Sequence, residues 1–248
     1  MPDSISPGTP CGLKLTTPHL RETVAFYRRL FGWSVQDRPG QVGGRQLTLD
    51  DEPVGEIDPS ADDDERSYWT PYFATDDPAA TAAAVVRAGG TVVIEPTDTL
   101  DAPAMTVCAA PDGAVFGAAR PFGGGVLTGW GRPGRIGSIR LLAERAEAAD
   151  FYRQLFGWRF DPSPGGFTVA TADSTTTFGT MHVMDPVHRP PNARPSWCPV
   201  FTVADTDAVA AHARDAGATV PMGPVNVTDT LRTAFIVDPY GAGFSVAS

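Results

Sequence analysis

The sequence predicts an α+β fold assembled from four strand–helix–strands units in tandem. Three observations lead there: a duplicated aromatic motif, a second repeat at nearly the same spacing, and a hydrophobic period that switches between strand and helix values inside each half. The first motif, Phe26-Tyr27-Arg28-Arg29-Leu30-Phe31-Gly32-Trp33, returns 125 positions later as Phe151-Tyr152-Arg153-Gln154-Leu155-Phe156-Gly157-Trp158. The second is Thr75-Asp76-Asp77, an Ala-rich stretch and Ala88-Gly89. It returns 128 positions later as Val203-Ala204-Asp205, a like stretch and Ala216-Gly217. The turn Pro111-Asp112-Gly113 also recurs after 128 positions, as Pro239-Tyr240-Gly241.

Each half then divides again. Residues 11–17 alternate as a half-buried strand does, and 19–31 carry Leu20, Val24, Tyr27, Leu30 and Phe31 at helical spacing, closed by Gly32 as C-cap. Strands are expected at 45–49 and 54–57. The pattern restarts with a strand at 71–75, a helix at 78–88, and strands at 91–94, 105–109 and 114–118. The second half repeats it, with strands at 138–142 and 200–203 and helices at 144–156 and 205–216. Gly and Pro crowd into residues 121–135, a linker composition that sets domains at 1–122 and 136–248 around a linker at 123–135. Residues 185–195, rich in Pro, are expected to form a stiff loop.

With 248 residues the chain suits two domains of ordinary size. The net charge of -10 disfavours nucleic acid or an anionic membrane surface as a partner. No apolar run approaches the roughly 20 residues of a membrane helix, and the N-terminus lacks the pattern of a secretory signal. Cys11, Cys108 and Cys198 are odd in number and widely spaced, so neither a disulfide framework nor a zinc motif is expected, and a reducing cytoplasm is. The glycines at 123–125 and 165–166 precede no Lys-Ser/Thr helix and form no phosphate loop.

The Phe-Tyr-x-x-Leu-Phe-Gly-Trp motif, the later helix ending in Ala-Gly and the Asp-Pro-x-Gly-x-x-Phe turn together resemble the vicinal-oxygen-chelate superfamily of glyoxalase, bleomycin-resistance and dioxygenase proteins. The likeness is strongest to its four-module actinobacterial members. It implies four βαβββ modules forming two domains, each with a curved mixed sheet, outer helices and a ligand on the concave face. Members that do metal chemistry place His, Gln or Glu on the first and last strands of paired modules. The matching positions here are Gly12, Glu56, Thr70 and Gly117 in the first half, and Ser138, Thr180, Cys198 and Ser245 in the second. One Glu or one Cys does not hold a divalent ion. His19, His182, His188 and His212 fall elsewhere. The expectation is no metal and no cofactor.

Alternation places Leu13 and Leu15 on one face of the first strand, and Gly12, Lys14 and Thr16 on the other. Arg140 takes the place of Lys14 in the second half. A lysine there needs a partner, an anionic ligand or water, and Glu56 is the candidate partner. The pair is either a structural ion pair or a group that polarises or deprotonates a ligand. At the place of Glu56 the second half carries no acid, which makes Arg140 a candidate to bind a carboxylate or phenolate. Lys14, Glu56 and Arg140 are therefore the candidate catalytic residues. Thr16, Trp69, Thr70, Tyr72, Trp197 and Cys198 are candidate substrate contacts, with the two tryptophans expected near the rim as aromatic walls. Trp33 and Trp158, which follow the helix caps, are expected in the core.

The expected function is metal-independent binding or conversion of a small aromatic or polyketide-like molecule, by cyclisation, isomerisation or an oxygenation-linked step in secondary metabolism. Sequestration of a toxic natural product and a metal-dependent lyase or dioxygenase are the alternatives. A small-molecule ligand and a monomer or homodimer complete the expectation.

Overall fold

In a computed structural model, residues 5–37, 44–60, 62, 66–99, 102–121, 127–185 and 194–248 are described. The predicted 186–193 part of the Pro-rich loop, His188 and the Gly cluster at 123–125 lie outside them.

Four βαβββ modules follow one another. The first is β1 (Pro10–Thr17), α1 (Leu20–Phe31), β2 (Ser34–Asp37), β3 (Arg45–Leu49) and β4 (Glu52–Pro59). The second is β5 (Tyr68–Ala74), α2 (Pro78–Arg87), β6 (Thr91–Thr99), β7 (Ala102–Ala109) and β8 (Val115–Ala119). The third is β9 (Ile136–Ala143), α3 (Ala148–Phe156), β10 (Arg159–Ser163), β11 (Gly166–Ala170) and β12 (Gly179–Val183). The fourth is β13 (Ser196–Thr202), α4 (Thr206–Asp215), β14 (Thr219–Thr228), β15 (Leu231–Val237) and β16 (Gly243–Ala247). The strands form two mixed sheets in the orders β2-β3-β4-β1-β5-β8-β7-β6 and β10-β11-β12-β9-β13-β16-β15-β14.

Local chemistry explains the helix limits. Gly32 and Gly157 end α1 and α3 in the left-handed region, at φ 77° and 69°, where a glycine carries no Cβ penalty. Asp77 and Asp205 open α2 and α4, each carboxylate accepting from the backbone N–H three residues on. Helix α3 begins at Ala148 rather than 144, since residues 144–147 form bends and turns between the end of β9 at Ala143 and the helix.

By contact density the chain forms two compact units, and each draws modules from both halves of the sequence. One contains residues 1–11, 71–125 and 139–197; the other contains 12–70, 126–138 and 198–248. Their cores explain the division. In the second unit Tyr27, Phe31 and Trp33 from the first module pack on Phe201 and Phe244 from the fourth, with Phe31–Phe201 centroids 5.3 Å apart. In the first unit Phe73 and Phe116 from the second module pack on Tyr152, Phe156 and Trp158 from the third, with Phe73–Trp158 at 4.8 Å. Buried aromatic pairs at such tilted or edge geometries add about 0.5–1.5 kcal/mol each beyond their area.

Trp33 and Trp158 are core residues, 1% and 2% exposed. Residues 127–135, linker-like in composition, are held against the second unit. Trp33 Nε1 donates to the Gly134 carbonyl at 2.8 Å, and Arg135, 3% exposed, pairs with Glu52 at 2.9 Å and donates to the Leu49 carbonyl. Burying a guanidinium demands that its fork be satisfied, and this one is. Among the described residues no helix is long and apolar enough to cross a membrane.

Candidate functional site

The polar residues of β1 and β4 come together because the two strands run parallel in a definite register, with Lys14 opposite Glu56 and Thr16 opposite Asp58. Leu13, Leu15 and Ile57 take the buried face, at 1%, 0% and 0% exposure, so Lys14, Thr16, Glu56 and Asp58 share the other. Lys14 Nζ stands 2.8 Å from Asp58 Oδ2 and 3.9 Å from Glu56 Oε2, with all three side chains still partly reached by solvent. The predicted Lys14–Glu56 pair is therefore present, but the closer anion is Asp58. The sequence carried that signal: Asp58 lies two residues beyond Glu56 and thus on the same strand face.

Gln46 extends this row, sitting opposite Glu56 on β3. The arrangement is an ammonium anchored by one carboxylate and approached by a second. Such a group can donate a proton or stabilise an oxyanion while the looser carboxylate accepts a proton.

The third module repeats the geometry with other residues. Arg140 on β9 stands opposite Thr180 on β12, and Thr168 of β11 stands opposite Thr180 in turn. His182, two residues beyond Thr180, occupies the place of Asp58. Burial, and secondarily the charge of Arg140, push its imidazole below the ordinary histidine range, against a hydrogen bond to the Gly165 backbone that favours the protonated ring.

Trp69 and Trp197 are not rim residues. They are 6% and 3% exposed, and each indole N–H donates to a buried tyrosine hydroxyl, Trp69 to Tyr27 at 3.1 Å and Trp197 to Tyr152 at 3.0 Å. Strand parity explains the correction: Trp69 shares its face of β5 with Phe73, which faces the aromatic core, whereas Thr70 and Tyr72 alternate to the opposite face. A buried indole then needs an acceptor, and the tyrosine provides it. Tyr27 in turn donates to Asp238 Oδ2 at 3.1 Å. Burial pushes the Tyr27 and Tyr152 hydroxyls and the Asp238 carboxyl above their ordinary ranges.

Thr70, Tyr72 and Cys198 are also buried, at 3%, 7% and 3% exposure. Tyr72 packs with Cys11, Ala74 and Val107, and its ring lies over Gly117, its register partner on β8. Cys198 Sγ lies 3.5 Å from the Pro199 carbonyl oxygen and 3.9 Å from Ser245 Oγ.

These residues do not fit a divalent ion. A side chain added at Gly117 would collide with the Tyr72 ring, so this position has no room for a ligand. Among the described residues no three His, Cys, Asp or Glu side chains converge as a metal-binding group. Glu56, the one acid at the ligand positions, is already beside Lys14.

Outside the strands, a cleft of about 330 Å³ is lined by Pro111, Asp112, Glu144, Arg145, Glu147 and Phe151. Asp112 Oδ1 accepts from the Ala114 N–H, and desolvation raises the carboxyl above its ordinary range.

Comparison with known proteins follows the duplication. The model of the glyoxalase-like domain matches residues 13–119, and that of the glyoxalase/bleomycin resistance protein/dioxygenase superfamily matches 139–246. The anthracycline biosynthesis protein DauV of Streptomyces sp. (strain C5) is 34% identical, over 97% of this chain and 93% of its own. DnrV of Streptomyces peucetius, likewise named an anthracycline biosynthesis protein, has the same identity and coverage. Among solved structures, the Mn(II)-bound glyoxalase from Novosphingobium aromaticivorans matches with a TM-score of 0.67 at 17% identity, over 98% of this chain and 83% of that one. At that identity the likeness is one of fold.

Proposed function

Since the chain belongs to the glyoxalase/bleomycin resistance protein/dioxygenase superfamily, we propose that it binds and converts a small aromatic, polyketide-like molecule of secondary metabolism without a resident divalent ion. The observation that carries this reading is Lys14 Nζ held 2.8 Å from Asp58 and 3.9 Å from Glu56, on the polar face of β1 and β4. In this reading Asp58 anchors the ammonium. Glu56 removes a proton from an acidic C–H or phenolic O–H beside a carbonyl, Lys14 stabilises the oxygen on which charge develops, and the proton returns to a different atom. The overall change is an isomerisation or ring closure, with no oxidant consumed. Two relatives named for anthracycline biosynthesis, each matching 97% of the chain, support an anthracycline-like substrate class.

The test is turnover of an anthracycline aglycone by protein purified without chelator, with elemental analysis of the same sample. K14M and E56Q should each lower kcat/KM by about 10²-fold or more, in line with the usual contribution of a positioned acid or base. D58N should lower it less, since Asp58 acts through Lys14. Full activity in K14M and E56Q, or stoichiometric Mn, Fe or Zn, would overturn the proposal. Tight binding with the aglycone recovered unchanged would favour sequestration instead.

A further inference from the structure

The cleft of about 330 Å³ lies wholly within the first unit, and the repeat shows how it arises. Offsets of 125 and 128 residues make Glu144, Asp112 and Ala110 the counterparts of His19, Tyr240 and Asp238. In the second unit the His19 and Tyr240 rings lie 5.0 Å apart, and Asp238 accepts from the Tyr27 hydroxyl. In the first unit two carboxylates stand in place of that ring pair, and an alanine in place of the buried acid. Glu147, the counterpart of Glu22, adds a third carboxylate to the lining, against the single guanidinium of Arg145.

Asp112 is the least satisfied of these groups. Its Oδ1 accepts from the Ala114 N–H, but Oδ2 is buried without a hydrogen-bond partner. A buried carboxylate oxygen with no donor is costly. Burial pushes this carboxyl above its ordinary range, and the charge of Glu144 adds to the effect, against backbone hydrogen bonds that lower it. A cation that also donates hydrogen bonds relieves both the repulsion and the missing donor. Among the described residues no three acids converge closely enough for a metal ion. The volume is instead at the small end of organic-ligand sites, about 300–1,000 Å³, and Phe151, Pro111 and Ala148 supply apolar wall.

We infer that this cleft binds a small organic amine in its ammonium form. The N–H groups donate to the Asp112 and Glu144 carboxylates, Glu147 adds to the attraction, and the hydrocarbon body lies against Phe151. The inference is independent of the proposed conversion, which uses the Lys14 row.

Phenethylamine, a monocation at neutral pH, is the probe, and 2-phenylethanol is its uncharged counterpart. The full chain is titrated with each by calorimetry at low salt. Phenethylamine should bind saturably, and the alcohol at least about tenfold more weakly, the size expected when a charge-assisted hydrogen bond is lost. D112N keeps an acceptor for the Ala114 N–H but removes the charge, so it should lose at least about tenfold in affinity with a native near-UV spectrum. E144Q should lose severalfold, and R145Q, which removes the opposing cation, should bind more tightly. D112Y/E144H, which installs the ring pair of the other repeat, should abolish binding. Glu144 and Arg145 are exposed, so their opposite shifts carry the test even where D112N loses its native spectrum. No saturable binding, equal affinity for the alcohol, a folded D112N with unchanged affinity, or unchanged affinities in both E144Q and R145Q would overturn the assignment. K14M should keep native affinity for phenethylamine, so loss of turnover there and loss of binding in D112N report separately on the two proposals.

Discussion

The two motif tyrosines are equivalent in sequence but not in what they hold. Tyr27 accepts from Trp69 and donates to Asp238, whereas at the place of Asp238 the other repeat carries Ala110. Y27F therefore strands two buried groups, the indole N–H and the carboxylate oxygen, and Y152F strands the Trp197 N–H. At about 1–3 kcal/mol per buried unsatisfied group, Y27F should destabilise more than Y152F by at least about 1 kcal/mol. Urea unfolding with unchanged m-values checks this, and equal losses would contradict it. Asp238 also gives a pH signature. Its folded pKa is raised above 3.8 by burial, so the neutral carboxyl is the form that the fold favours. Its stabilising contribution is complete below 3.8 and is lost as pH rises through the folded value. D238N keeps an acceptor for the Tyr240 and Ala242 N–H groups that Asp238 Oδ1 now serves and removes the titration. The stability of the native protein relative to D238N should thus fall as pH rises from 3.8 through the raised folded value, measured by urea midpoints across a pH series. A rising difference would reverse the argument.

At the scale of the element, the pairing of β5 with β8 turns on Tyr72 lying over Gly117. G117A should cost about 1–3 kcal/mol by overpacking, and Y72L should recover much of that loss when combined with it. A coupling energy near zero in that double-mutant cycle would show that the ring and the glycine do not constrain each other. The elements themselves were largely legible. Helical spacing ending at Gly32 and Gly157, and the Asp77 and Asp205 openings, mark α1 through α4 within a few residues. Strands β2, β10 to β12 and β14 to β16 had no legible ranges: Ser34–Asp37 is polar and largely exposed, Gly179–Val183 is short and follows a turn-rich stretch, and β14 is largely exposed with an irregular register. The Lys14 row was half legible. Alternation puts Glu56 and Asp58 on one face and the parallel register sets Glu56 opposite Lys14, but only the side-chain distances show that Asp58 lies nearer to Lys14 than Glu56 does. The tryptophans were misplaced for a related reason: a lone aromatic before a strand does not announce which face its parity will select, and burial beside a tyrosine hydroxyl decided it.

The whole molecule shows what the repeat alone does not. Duplication divides the sequence at the linker, yet α1 of the first module finds its aromatic partners in β13 and β16 of the fourth. A fragment of residues 1–122 would expose Tyr27, Phe31 and Trp33, and one of 136–248 would expose Phe201 and Phe244. Neither should be a cooperatively folded monomer, and mixing the two should restore the near-UV spectrum. Size-exclusion chromatography and thermal unfolding of the separate fragments check this; a monomeric fragment with a sharp transition would contradict it. The same crossing bears on how the chain matures on the ribosome. The second and third modules emerge consecutively and can close their shared aromatic cluster early. The first module is synthesised before any of them, yet its helix must wait until β13 and β16 have left the exit tunnel. Pairings between segments far apart in sequence are slow to form and leave apolar surface uncovered meanwhile. Of the two Phe-Tyr helices, α1 thus waits far longer on the ribosome for its aromatic partners than α3, whose partners Phe73 and Phe116 are already made.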